Sequence, residues 1–135
     1  MLAASCGPPP VLTEFDRAEI EVGGNRLSVA VADTLGLRNQ GLRGVDALPE
    51  TLDGMLFVFE PARSATFGMR DTLMPLDIWW FDADGDLIGS AQMEPCPAEP
   101  CTSYRSPAEV RWALETPLDE VDLEPGDRLM VIDSS

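Results

Sequence analysis

The chain contains no histidine and no lysine. Without an imidazole, Ser-His and Cys-His nucleophile systems and the common His-containing zinc sites are excluded, so catalysis would have to run on carboxylates, arginine, Tyr104 or a bound metal. All nine basic residues are arginine, set against 24 acidic residues for a formal net charge of −15. Such a surface repels phosphate backbones and anionic lipid head groups, which argues against nucleic acid and against a polybasic membrane contact. The plainer consequence of the charge is solubility or tolerance of salt. Long apolar runs are missing too, and no segment offers the roughly 20 apolar residues that a membrane helix needs. What is present suffices for one core: 135 residues, 44% of them hydrophobic, with three Trp and five Phe. One compact domain is expected.

The opening MLAASCGPPP reads like the last positions of a bacterial lipoprotein signal, with small Ala3, Ala4 and Ser5 ahead of Cys6, the residue that would carry the lipid. A full signal would also show a charged start and a longer apolar stretch, so a plain free thiol is the alternative reading of Cys6. Gly7 and the three prolines after it suit an extended, semi-rigid spacer. Residues 1–17 are therefore expected to form a truncated signal and tether, and residues 18–135 a single β-rich domain. Cys96 and Cys101, in PCPAEPC, are spaced too widely for a C-x-x-C redox motif and lack further zinc ligands. A local disulfide is expected in an exported compartment, with two unrelated free thiols as the alternative.

Along the chain, residues 18–32 alternate apolar and polar on both sides of Gly23-Gly24-Asn25, the pattern of a β-hairpin whose Ile20, Val22, Leu27, Val29 and Val31 share a face. Thr34 offers a cap to a short helix weakened by Gly36 and Gly41. MLFVF is a continuous apolar run with the length of a buried strand, expected to end at Pro61. Residues 74–81 hold Ile78, Trp79, Trp80 and Phe81 and read as another strand, with residues 87–93 as its hairpin partner across DADGD. VRWALE and DRLMVI add two more. The fold class is β-dominated α+β: about seven strands in a closed or half-closed barrel-like sheet, with one or two short helices.

Several constellations carry possible chemistry. GMRDTLMPLD supplies Arg70, Asp71, Thr72 and Asp77 on a loop held by two strands, where functional polar groups tend to lie. The bland reading makes Asp71 and Thr72 turn caps. Asp77 falls inside an apolar strand, so its carboxylate needs an arginine or N–H donors as partners. DADGD has its glycine fourth, whereas a calcium loop needs it sixth, so a hairpin turn is the better reading. Trp79 and Trp80 must point to opposite faces of their strand, leaving one of them covered by the chain or open to a ligand. Met55, Met69, Met74 and Met93 fit core filling better than copper.

The sequence also resembles a known family. Gly41-Leu42, GMLFVF at 54–59, F-x-M-x-x-T at Phe67, Met69 and Thr72, and PLDI at 75–78 follow its order and spacing. So do the D-x-x-G turn at Asp82 and Gly85, Leu114-Glu115, and PGD at 125–127. The family is the bacterial and archaeal domain of unknown function family 192, and the resemblance spans about residues 20–132. It implies a small, β-rich, often exported protein with no established activity. Three positions depart from its pattern: Val45 where the family has Arg, Gly68 where it has Trp, and Asp71 where it has Asn. These imply a remodelled or lost pocket, for which Arg43 or Arg70 would compensate.

Together these readings give an extracytoplasmic, lipid-anchored, monomeric binding module on the bacterial periplasmic or cell surface. It needs no metal or cofactor, and its partner would be a small ligand, a cell-wall component or a protein. Its expected contacts are Arg43, Met69, Arg70, Asp71, Thr72 and Asp77, beside the Cys96 and Cys101 loop. The enzymatic alternative is a carboxylate-based hydrolase using Asp77 and Glu115, which requires both carboxyl groups in one open cleft. A third reading, an assembly module, requires an exposed apolar patch around Trp80.

Overall fold

The computed structural model describes residues 10–134. Seven strands form one mixed sheet: β1 (Asp16–Val22), β2 (Asn25–Ala32), β3 (Gly54–Arg63), β5 (Leu76–Phe81), β6 (Leu87–Met93), β8 (Val110–Pro117) and β9 (Leu129–Ser134). Their order across the sheet is β6-β5-β8-β3-β2-β1-β9. Two short strands, β4 (Thr66–Phe67) and β7 (Tyr104–Arg105), pair separately. The chain is thus β-dominated, with little helix: a 3-10 turn (Pro10–Glu14) and α1 (Leu35–Gln40).

The β1-β2 hairpin turns at Gly23-Gly24, both at positive φ, and sets Ile20 opposite Leu27. Alternation then sends Ile20, Val22, Leu27 and Val29 into one buried cluster, as expected. α1 begins at Thr34, whose hydroxyl accepts from the Leu37 amide at 3.2 Å, and ends at Gly41. It lies in the crossover that makes β2 and β3 parallel neighbours. β3 does not stop at Pro61. Proline cannot donate to the ladder, so the register against β8 breaks between Val58 and Arg63, yet pairing resumes at Arg63 with Val110.

Both faces of the sheet are buried. One cluster holds Ile20, Val29, Leu56, Trp79, Phe81, Leu114 and Leu129. Leu87, on one edge strand of the sheet, and Leu129, on the other, both pack in it, so the sheet curls around this face. It does not close. The two edges approach at the isolated Asp86–Arg128 bridge, so the expected barrel is only partly formed. There Gly85, at φ 87°, lies against Leu129, whose amide donates to the Gly85 carbonyl at 2.8 Å. The opposite face packs Phe57, Phe59, Met69, Ile78, Trp80 and Ala113. Trp79 and Trp80 therefore serve two different cores, at 8% and 3% exposure, and among the described residues no apolar patch opens around Trp80.

Leu12 and Phe15 are buried in that second cluster, so packing begins before residue 18, and residues 1–9 of the expected tether lie outside the described residues. Cys6 lies outside the described residues. Among the described residues, no helix is long and apolar enough to cross a membrane.

Candidate functional site

The residues that α1 and its following turn lay over β3 enclose a pocket of about 360 Å³, a size suited to a small molecule. One wall is aromatic. Phe67 meets Phe57 and Phe59 edge-on, with ring centroids 5.3 Å and 6.1 Å apart. This geometry places the positive rim of one ring against the negative face of another. Phe57 and Phe59 reach the same wall because they stand two apart on β3.

The rim is cationic. Arg38, Arg43, Arg63 and Arg70 all line the pocket, four of the nine arginines in a strongly acidic chain. Arg43 faces Asp71 at 3.8 Å and Arg70 faces Glu99 at 3.3 Å. Arg38 and Arg63 instead flank one ring, their guanidinium carbons 5.1 Å and 5.4 Å from the centroid of Phe59. Arg38 also donates to the Val58 carbonyl at 2.9 Å. Burial first, and then repulsion from Arg63, lowers the Arg38 pKa, against a weaker pull from Asp33.

Glu115 lines the inner part of the pocket and is the one acidic residue among its lining groups. On β8 it stands opposite Met55 on one side and Ile78 on the other, so its ladder neighbours are apolar. The residue is 5% exposed, and its carboxyl makes no hydrogen bond or ion pair with any described residue. Burial pushes its pKa up from 4.5 to about 8, so it is predominantly a neutral acid at pH 7. The arginines do not offset that rise, which means that the charges at the mouth stand apart from the acid within. Gly54 fixes the backbone beneath it, because a Cβ there would fall on the Glu115 carbonyl oxygen.

Of the expected contacts, Arg43, Arg70 and Thr72 do line this pocket. Met69 is 1% exposed and belongs to the core. Asp71, at φ 61°, pairs with Arg43 and is not among the lining residues. Asp77 is elsewhere. It stands opposite Thr116, one ladder step from Glu115, so the two carboxylates project from opposite faces of the sheet and form no acid–base pair. Asp77 instead accepts from the Asp119 amide at 2.9 Å, while its strand neighbour Trp79 donates to Thr116 at 3.2 Å.

The three departures from the family pattern have separate fates. Val45 is fully buried, Asp71 sits beside Arg43, and Gly68 lines the pocket with open space where a side chain would begin. Arg38, Arg63, Phe57, Phe59 and Phe67 were not anticipated as site residues. The available signal was the pair of phenylalanines two apart in MLFVF followed by an arginine just beyond its proline.

The knot and the cysteine loop do meet. Cys96 and Cys101 are joined in a disulfide, Cys96 bridges to Arg70, and Glu99 of that loop takes the Arg70 ion pair. DADGD is the hairpin turn expected. Asp82, Asp84 and Asp86 bring carboxylate oxygens within 4.8 Å of one another. One Asp82 oxygen accepts from the Asp84 and Asp86 amides, and Asp86 holds Arg128 at 2.9 Å.

These features define a β-dominated domain with an open, two-sided sheet and a pocket of small-molecule size beside a disulfide loop. Residues 18–131 match DUF192, described as Uncharacterized ACR, and the chain belongs to that family. No curated protein matches it. The fold is similar to that of a protein of unknown function from Novosphingobium aromaticivorans DSM 12444, with a TM-score of 0.76 at 23% identity over 96% of this chain and 97% of that one. It is also similar to a proposed transcription regulator from Sinorhizobium meliloti 1021, with a TM-score of 0.71 at 25% identity over 86% of this chain and 92% of that one.

Proposed function

We propose that this chain is an extracytoplasmic, lipid-tethered, non-enzymatic module that binds a small ligand in the pocket between α1, β3 and β4. The observation that carries this reading is Glu115, a largely buried residue whose carboxyl has no hydrogen bond or ion pair among the described residues and lines a cavity of ligand size. An unpartnered buried polar group costs free energy, and a bound molecule that hydrogen-bonds it recovers that cost. With one carboxyl in the pocket and Asp77 on the other face, two-carboxylate hydrolysis lacks its second group. The Cys96–Cys101 disulfide is consistent with an oxidising compartment, and the net charge of −15 disfavours nucleic acid as a partner.

Thermal shift of the full chain against a panel of cell-wall fragments, oligosaccharides and metabolites tests the binding reading. A ligand at 100 times its dissociation constant adds roughly 2.7 kcal/mol, several degrees for a domain of this size. Gly68→Trp, which puts bulk into the open space of the pocket, should abolish the shift. A shift that survives this variant, or no shift at all, would count against the pocket. Palmitate labelling in the producing cell tests the tether, with loss of label in Cys6→Ser as the expected result.

A further inference from the structure

Arg38 and Arg63 bring two cations to one aromatic ring. Their guanidinium groups flank a single ring, repel one another, and have no carboxylate within ion-pair distance among the described residues. This occurs in a chain where acidic residues outnumber basic ones 24 to nine. Arg26, Arg43, Arg70, Arg111 and Arg128 all find a carboxylate, so the acid supply is not the reason. Arg38 and Arg63, without an ion pair among the described residues, share one pocket mouth, and Glu115, also without an ion pair there, lines the same pocket. Between them the wall is Phe57, Phe59 and Phe67.

We propose that the pocket takes a small organic anion: Arg38 and Arg63 hold its carboxylate or phosphate head at the mouth, and its uncharged body runs along Phe57 and Phe67 to a hydrogen bond with Glu115. Guanidinium groups suit either oxyanion, because their planar N–H fork matches two oxygens at once. The head relieves the repulsion between the two cations. The apolar body removes ring surface from water, and an acceptor on its far end satisfies the Glu115 hydroxyl. Each part of the pocket is matched to a different part of one molecule. This assignment rests on the binding reading above and specifies its ligand.

Nitrogen-15 spectra of the full chain, recorded with benzoate, phenyl phosphate, inorganic phosphate and benzyl alcohol, test it directly. Benzoate or phenyl phosphate should move the Arg38 and Arg63 Nε signals together with the Phe67 and Gly68 amides, and should bind at least about tenfold more tightly than benzyl alcohol. Which of the two binds better distinguishes a carboxylate source from a phosphate source. Arg63 is exposed at a strand end, so Arg63→Gln should keep the dispersed spectrum and weaken the aromatic anion about tenfold. Arg105→Gln, outside the pocket, should not. Equal binding of benzyl alcohol, or an unaffected Arg63→Gln variant, would overturn the anion assignment and leave the pocket itself standing. Inorganic phosphate binding as tightly as phenyl phosphate would reduce the site to an ion contact and overturn the proposal. Silence from every probe would count against both the ligand class and the pocket.

Discussion

Asp77 and Glu115 lie one ladder step apart on neighbouring strands and point away from each other through the sheet. Their environments differ accordingly. Asp77 is tied to the Asp119 amide beside the Trp79–Thr116 contact, whereas Glu115 has only apolar ladder neighbours and the pocket before it. One carboxylate organises a turn, and the other is left for something else to satisfy.

Glu115→Gln should raise stability at neutral pH. A carboxyl whose folded pKa is raised holds its proton longer in the folded chain than in the unfolded one. Stability therefore falls as pH climbs from about 4.5 to about 8 and is level beyond. The slope is at most ~1.4 kcal/mol per pH unit. The pocket's other charged groups are Arg38 and Arg43 from α1 and its turn, Arg63 from β3 and Arg70 from the knot. Urea denaturation of both proteins from pH 4 to pH 9 should give curves that coincide at the acid end and separate steadily towards pH 8. Parallel curves would mean that Glu115 ionises freely.

Asp77→Ala should destabilise the chain by about 1–3 kcal/mol, because the part-buried Asp119 amide loses its acceptor. Binding to the pocket should be unchanged once the variant is folded. Any loss of ligand affinity in this variant, measured well below its midpoint, would contradict the placement of the two carboxylates on separate faces.

Gly54→Ala should be among the most damaging single-methyl additions. The new Cβ meets the backbone carbonyl of Glu115, which cannot swing aside as a flexible side chain would. A cost near the upper end of ~1–3 kcal/mol for overpacking is expected. In a domain of this size that is a fall in melting temperature of about 10 °C, readable by calorimetry. Gly68→Ala, with open space around it, should lie within ~0.5 kcal/mol of the parent.

Replacing both Cys96 and Cys101 by serine should cost about 2 kcal/mol through the freed loop. The Arg70–Glu99 contact is exposed and adds little to that sum. Hydrogen exchange should quicken at Cys96, whose amide bonds the Met69 carbonyl, before it quickens in β5 or β8. Uniform acceleration across the sheet would show that the disulfide stabilises the whole domain rather than its loop.

Local chemistry made much of this fold legible. Gly23-Gly24 between alternating runs marked the β1-β2 hairpin, Thr34 marked the start of α1, and DADGD marked the β5-β6 turn. Trp79 and Trp80 had to part company, and they do. The two-residue pair of β4 and β7 was not legible, since two residues carry no periodicity. Nor was the course of β3 beyond Pro61, because one missing donor interrupts a ladder without ending it. The site was half legible. GMRDT and Glu115 stood out as polar groups in apolar surroundings, but their grouping with Arg38 and Phe59 depends on which loop covers which face. That is decided by the packing of segments far apart in the chain.

The first and last strands are partners. Among the named strands β9 pairs with β1, with Ala18 beside Ser134, so one edge of the sheet joins strands more than 100 residues apart. Emerging from a ribosome or a translocation channel, the chain can lay β1 against β2 early, yet the β1–β9 row of backbone bonds must wait until β9 has been made. Closure over so long a separation is slow. Until it happens, the outer edge of β1 stays open to the same strand of another nascent copy.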